Sequence, residues 1–205
     1  LPRVQAERAA YLLAGLAFGA LALVIVVHAL YWMVMSGHIR TAAQAWIEDK
    51  VEVGYTIEYS TIKVRGYPFR FTIHLSDAEV SAPSTDGGWR LSMDAAAASA
   101  QFYNLDHWIV TLGHNAILDT RIDGERSQYA LTSEKARFSL ITRKGVTSQI
   151  GAEVNALSVT ALSGPAPIIA SVERFAMNGR LSESGEFING FEIENARFDD
   201  SQLDN

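Results

Sequence analysis

The 205-residue sequence contains no cysteine. That removes disulfides, thiolate metal sites, iron–sulfur ligation and a cysteine nucleophile together. It also lacks any cluster of lysine and arginine, and its net charge is −6. An acidic chain without a basic patch cannot neutralise phosphates along a backbone, so nucleic acid is excluded as a partner. Several motifs are missing as well. No G-x-S-x-G elbow, H-E-x-x-H helix, P-loop or dinucleotide fingerprint occurs. His107 and His114 stand seven apart beside Asp106. Two such ligands fall short of the three or four that a metal needs, so no metal or other cofactor is expected. The scattered carboxylates read as solvated surface charge, and no catalytic residue is assigned. The expectation is a protein that is not an enzyme.

Charge is also absent locally. No Asp, Glu, Lys or Arg occurs from Ala9 to Ile39. As a helix the 27 residues 9–35 would reach roughly 40 Å, longer than the ~30 Å hydrocarbon core. Tyr31 and Trp32 sit where interfacial rings belong. A cleaved signal would have a shorter apolar run followed closely by its cleavage site, so a retained span is the preferred reading. Flanking charge is nearly balanced. The short N-terminal tail favours an N-in topology, with the bulk of the chain outside.

Inside the span, Gly15 and Gly19 form G-x-x-x-G, a spacing that allows close helix contact. His28 is the one titratable group deep in it. Its imidazole is expected to be neutral and to bond a neighbouring helix or a backbone carbonyl, and it joins Gly15 and Gly19 as a candidate contact in the membrane. "HIRTAAQAWIEDK" continues as a helix, with Ile39, Ala43, Trp46 and Ile47 on one side.

After Gly54 the period changes from helix to strand. Short alternating runs rich in β-branched and aromatic residues are separated by Asp86-Gly87-Gly88, Asp123-Gly124, Lys144-Gly145, Gly164-Pro165, Asn178-Gly179 and Asn189-Gly190. "MDAAAASA" reads either as a helical turn or as a strand of small residues. Four Arg-Phe dipeptides (at 70, 137, 174 and 197) place Phe and Arg on opposite faces of their strands. The expected fold is an all-β extramembrane domain, an antiparallel meander forming a curved sheet or sandwich, with one N-terminal transmembrane helix. The expected layout is a short cytoplasmic tail at 1–8, a transmembrane helix at 9–36, a juxtamembrane helix at 37–52 and a β-rich domain at 53–205. The start at Leu1 and the lack of an end signal at Asn205 suggest a piece of a longer product.

"VRGYPFRFTIHL" holds the most specific local signal. Gly66, Tyr67 and Pro68 read as a structural corner that sets the register of the first two strands. Phe69, Phe71, Ile73 and Leu75 then share one face, opposite Arg70, Thr72 and His74. Ile57 and Tyr59 share a face on the strand before, as do Ile62 and Val64 after a register break. The apolar side either packs on a helix or second sheet, or stays open as a trough for lipid. After Lys50 no long helix is evident to cover it.

The anchor, the short helix and "V-x-G-Y-P-F-R-F-x-I" at Val64, Gly66, Tyr67, Pro68, Phe69, Arg70 and Phe71 resemble the DUF2125 family of alphaproteobacterial membrane-anchored proteins. That family is similar in layout to the AsmA-like proteins. The resemblance implies an inner-membrane anchor and a periplasmic curved sheet with an apolar interior. It also implies a role in phospholipid handling or envelope maintenance. The resulting expectation is a non-enzymatic single-pass inner-membrane protein whose periplasmic β-domain binds or shields membrane lipid. The alternative is an accessory subunit of a larger complex, its helix packed on other integral membrane subunits and its β-domain a periplasmic cap.

Overall fold

The computed structural model describes residues 2–122, 124–143, 146–182 and 186–198. Helix α1 (Pro2–Glu52) is unbroken over 51 residues. No proline follows Pro2 within it, and Ala, Leu and Val supply most of its length. Residues 9–36 and 37–52, expected as a span and a juxtamembrane helix, are therefore parts of one helix. It stops at Gly54, whose φ of 95° only glycine adopts without strain. Gly54 N–H bonds the Val51 carbonyl at 3.0 Å and Tyr55 N–H that of Lys50 at 3.1 Å, which satisfies two orphan carbonyls.

The remaining chain forms eleven strands: β1 (Thr56–Glu58), β2 (Thr61–Arg65), β3 (Arg70–Ser81), β4 (Arg90–Gln101), β5 (Asn104–Leu112), β6 (Asn115–Ile122), β7 (Glu125–Thr132), β8 (Lys135–Arg143), β9 (Val146–Ser163), β10 (Ile169–Leu181) and β11 (Phe187–Phe198). All belong to one antiparallel sheet. Three pairs lie end to end. β1 and β2 both border β3, β5 and β6 both border β4, and β7 and β8 both border β9. Eleven strands thus make eight lanes of a simple meander, about 34 Å across at the usual inter-strand spacing. "MDAAAASA" is part of β4. No second sheet faces this one among the described residues, so the curved single sheet is the form adopted and the sandwich is not.

A crease crosses every lane. Asp77, Ala156 and Asn195 have φ of 50°, 51° and 50°, rare for residues with a side chain. By register Asp77 lies opposite Asp94, which borders the break at Gly113–His114 between β5 and β6. That break faces Ser133–Glu134 between β7 and β8, then Ala156, Glu173 and Asn195. Local bonds close it. Gly113 N–H donates to the Ala95 carbonyl at 2.8 Å, and Ser133 N–H to that of His114 at 2.9 Å. Asn195 Nδ2 donates to Glu173 Oε2. Each kink shifts the side-chain alternation by one. Residues three apart (Leu75 and Ala78, or Phe175 and Val172) therefore keep the same face across it.

The outcome is a sheet with two unlike faces. Cross-strand partners point the same way. Across all eight lanes one row reads Val64, Ile73, Ala98, Val110, Phe138, Ala152, Met177, Phe191. The next row reads Ile62, Leu75, Ala96, Leu112, Ala136, Val154, Phe175, Ile193. Both are wholly apolar. The opposite face carries the ion pairs Arg90–Glu79, Arg126–Asp119, Lys135–Glu153 and Arg174–Glu194. By register all four Arg-Phe dipeptides (at 70, 137, 174 and 197) put the phenylalanine on the apolar face and the arginine on the opposite one.

Candidate functional site

The apolar face is covered at one side only. Helix α1 lies over β1 and β2 and reaches β3. It presents His28, Trp32, Met35, Ile39, Ala43 and Ile47, spaced by three or four residues along one stripe. N-terminal to this stripe, residues 11–27 are all exposed. They belong to the stretch Tyr11–Glu52 that is long and apolar enough to cross a membrane, which marks a membrane anchor or a signal sequence.

The stripe begins at the "RGYPFRF" turn. Gly66 has a φ of 108°, and a Cβ there would lie 2.7 Å from the Arg70 carbonyl oxygen. Arg70 N–H closes the turn on the Gly66 carbonyl at 3.1 Å, across a cis Tyr67–Pro68 bond. This geometry turns carbonyls toward the helix. His28 Nε2 donates to the Pro68 carbonyl at 2.9 Å, and Trp32 Nε1 to the Arg70 carbonyl at 3.2 Å. The Trp32 ring stacks on Phe71 at 5.6 Å and meets Tyr67 edge-on at 5.7 Å. Phe102, from the next hairpin, lies edge-on to His28 at 5.5 Å. The corner is therefore the socket into which the helix locks. Phe71 is completely buried there, worth about 1.5–3 kcal/mol as transfer from water.

Further along the helix the packing opens. A cavity of about 270 Å³ lies between α1 and the sheet, walled by Trp46, Ile47, Leu75, Ala98, Val110 and Leu112 among others. Small side chains make the room, since Ala96, Ala97 and Ala98 all line it. Ile73 and Leu75 join this wall as expected, but Phe69 does not. It stands in the turn before β3 and is 69% exposed. Beyond β5 nothing covers the apolar face among the described residues. Phe138 on β8 is 37% exposed and Phe191 on β11 is 75% exposed.

The other sites of interest stay apart. His107 Nε2 meets Ser139 Oγ at 2.9 Å, and His114 Nδ1 meets the Ser133 carbonyl at 3.0 Å. No group of three or more His, Asp or Glu that could hold a metal occurs among the described residues. Gly15 and Gly19 lie on the exposed part of α1, with nothing within 4 Å of a built Cβ. His28 bonds a backbone carbonyl, one of the two partners expected for it, and that carbonyl is Pro68 of its own chain rather than a neighbouring helix. On the polar face, a hydrogen bond from Lys135 holds the Glu153 carboxyl below its usual range. The Glu194 hydrogen bond raises the Arg174 guanidinium further.

Sequence reasoning named part of this wall and missed the rest. It found Ile73 and Leu75 of the wall, and Phe71 of the socket. It read the small residues of 93–100, which include Ala96–Ala98, as a possible strand closely approached by another surface; it did not find Val110 or Leu112, which sit two lanes from β3 and are joined to it only by register. The helical stripe was legible from Ile39 to Ile47, but its continuation back to His28 was not. It was hidden because the whole segment is apolar, so the packed side does not stand out.

A long apolar helix locked by an aromatic socket to the edge of a one-layer, two-faced β-meander defines the class of protein. The chain belongs to the DUF2125 family, described as an uncharacterized protein conserved in bacteria, whose model matches residues 32–196. The match starts inside α1 at Trp32, at the socket, and takes in nearly the whole sheet. Searches of curated proteins and of solved structures gave no match.

Proposed function

We propose that this is a non-enzymatic, single-pass inner-membrane protein whose β-domain, on the periplasmic side, holds or shields the acyl chains of membrane lipid. One observation carries the reading. The two apolar rows run through all eight lanes without a polar interruption, yet the helix covers only the first lanes. A sheet face left in water is normally polar, and exposed apolar patches of this extent mark an interaction surface. The cavity walls hold no ion pair and no catalytic group. This suits an apolar chain, each buried CH₂ of which contributes about 0.8 kcal/mol.

Native mass spectrometry of the full chain, extracted in mild detergent, tests this. The expected result is a co-purifying phospholipid in the wild type and a reduced lipid-bound fraction in Ala98→Trp, whose ring projects into the cavity and whose retained fold is checked by circular dichroism. A lipid-free wild type would overturn the reading. A stoichiometric protein partner in place of lipid would move the chain to the accessory-subunit class.

A further inference from the structure

The socket end of the sheet carries a second surface. Two neighbouring turns project there, 66–69 between β2 and β3 and 102–103 between β4 and β5, tied by the Phe102 N–H bond to the Phe69 carbonyl at 3.2 Å. Their rings are largely open, Tyr67 keeping an edge contact with Trp32. Tyr67 is 48%, Phe69 69% and Tyr103 74% exposed, although the same turns bury Phe71 completely. Arg65 and Arg70 flank them, both exposed and neither in an ion pair among the described residues. The position along the helix is the second observation. The free part of α1 ends at His28, the residue bonded to this turn. The 20 residues from Ala9 to His28 span about 30 Å, one hydrocarbon thickness. The turns therefore come level with the bilayer boundary.

We infer that these two turns form a membrane-docking edge. The rings of Tyr67, Phe69 and Tyr103 lie in the headgroup layer, and Arg65 and Arg70 meet lipid phosphates. Aromatic rings favour this depth, and arginine pairs with phosphate in a bidentate fork. The edge fixes the sheet upright on the bilayer, with its strands running away from the surface. The apolar face then begins at the lipid rather than at a distance from it. This inference rests on α1 being a membrane span.

The absence of cysteine in these 205 residues makes the test direct. Single cysteines replace Leu16, Phe69, Tyr103 and Ile168 in the full chain. Each carries a nitroxide, and each variant is placed in phosphatidylcholine–phosphatidylglycerol nanodiscs. Electron paramagnetic resonance compares collisions with oxygen, which concentrates in the bilayer, and with a water-soluble nickel chelate. Ile168 is the control for hydrophobicity, being 72% exposed at the opposite end of the strands. The expected result is oxygen dominance at Leu16, a mixed interfacial ratio at Phe69 and Tyr103, and nickel dominance at Ile168. Nickel dominance at Phe69 and Tyr103 with Leu16 still buried would overturn the docking edge and leave the span intact. Nickel dominance at Leu16 would overturn the span and this inference with it. Arg65→Gln with Arg70→Gln gives an independent check. It should shift the Tyr103 label toward water, and an unchanged ratio counts against the phosphate contacts.

Discussion

The two sides of the apolar face have the same sequence character and opposite environments. At Phe71 the face is sealed by Trp32 and the exposure is 0%, whereas at Phe191, on the last lane, it is 75%. Nothing in the alternation of β3 or β11 announces this difference. It comes from where the one long helix lies, and that in turn comes from a turn that presents two carbonyls to His28 and Trp32. The strands specify a face, and the socket specifies which part of it is closed.

The contrast can be broken most forcefully at its sealed end. Phe71→Ala should cost about 3–5 kcal/mol of stability, as large-to-small changes at fully buried aromatics do. Phe191→Ala should stay within ~0.5 kcal/mol. Chemical denaturation of both variants in the same detergent measures the gap, and equal losses would contradict it. Gly66→Ala comes next, with a loss of at least ~1 kcal/mol, because its backbone angle and the Arg70 carbonyl both resist a side chain. Proteolysis within α1 should accelerate in the same variant as the socket loosens. His28→Ala should cost about 1 kcal/mol through the lost bond to Pro68, read from the same denaturation series.

The smallest effect lies on the polar face. Glu153 titrates below its ordinary value in the folded chain. Its contribution is therefore complete above the unfolded carboxylate range and fades as pH falls through the lowered folded value. The pair is solvent-exposed, so the change is slight. Thermal melts of wild type and Glu153→Gln should differ a little at neutral pH and converge in acid. A difference that grows in acid would reverse the assigned sign.

Much of this architecture could be read from the residues. The apolar run, the switch to strand period after Gly54 and the Arg-Phe phase led to a helix and a two-faced curved sheet. The corner was legible because Gly66 and Pro68 restrict the backbone strongly. Three things were not. Phe69 follows the alternation of β3 on paper but stands in the turn, since β3 begins at Arg70. His28 was expected to bond a neighbouring helix or a backbone carbonyl, but that the carbonyl belongs to its own β-domain was hidden, because the stripe that carries it is apolar on every side. The crease escaped notice because Asp77, Ala156 and Asn195 are ordinary residue types whose positive φ is imposed by neighbouring lanes. Such long-range register leaves no local mark, and the cavity walls depend on it.

The central claim is that the open apolar face meets lipid chains. A phospholipid carrying a photoactivatable diazirine in its acyl chain, incorporated with the full chain in nanodiscs and mapped by peptide mass spectrometry, tests it most directly. The account predicts adducts on Val110, Leu112, Phe138 and Phe191, in addition to those on the free part of α1. Adducts confined to residues 11–30, with none on the strands, would contradict it.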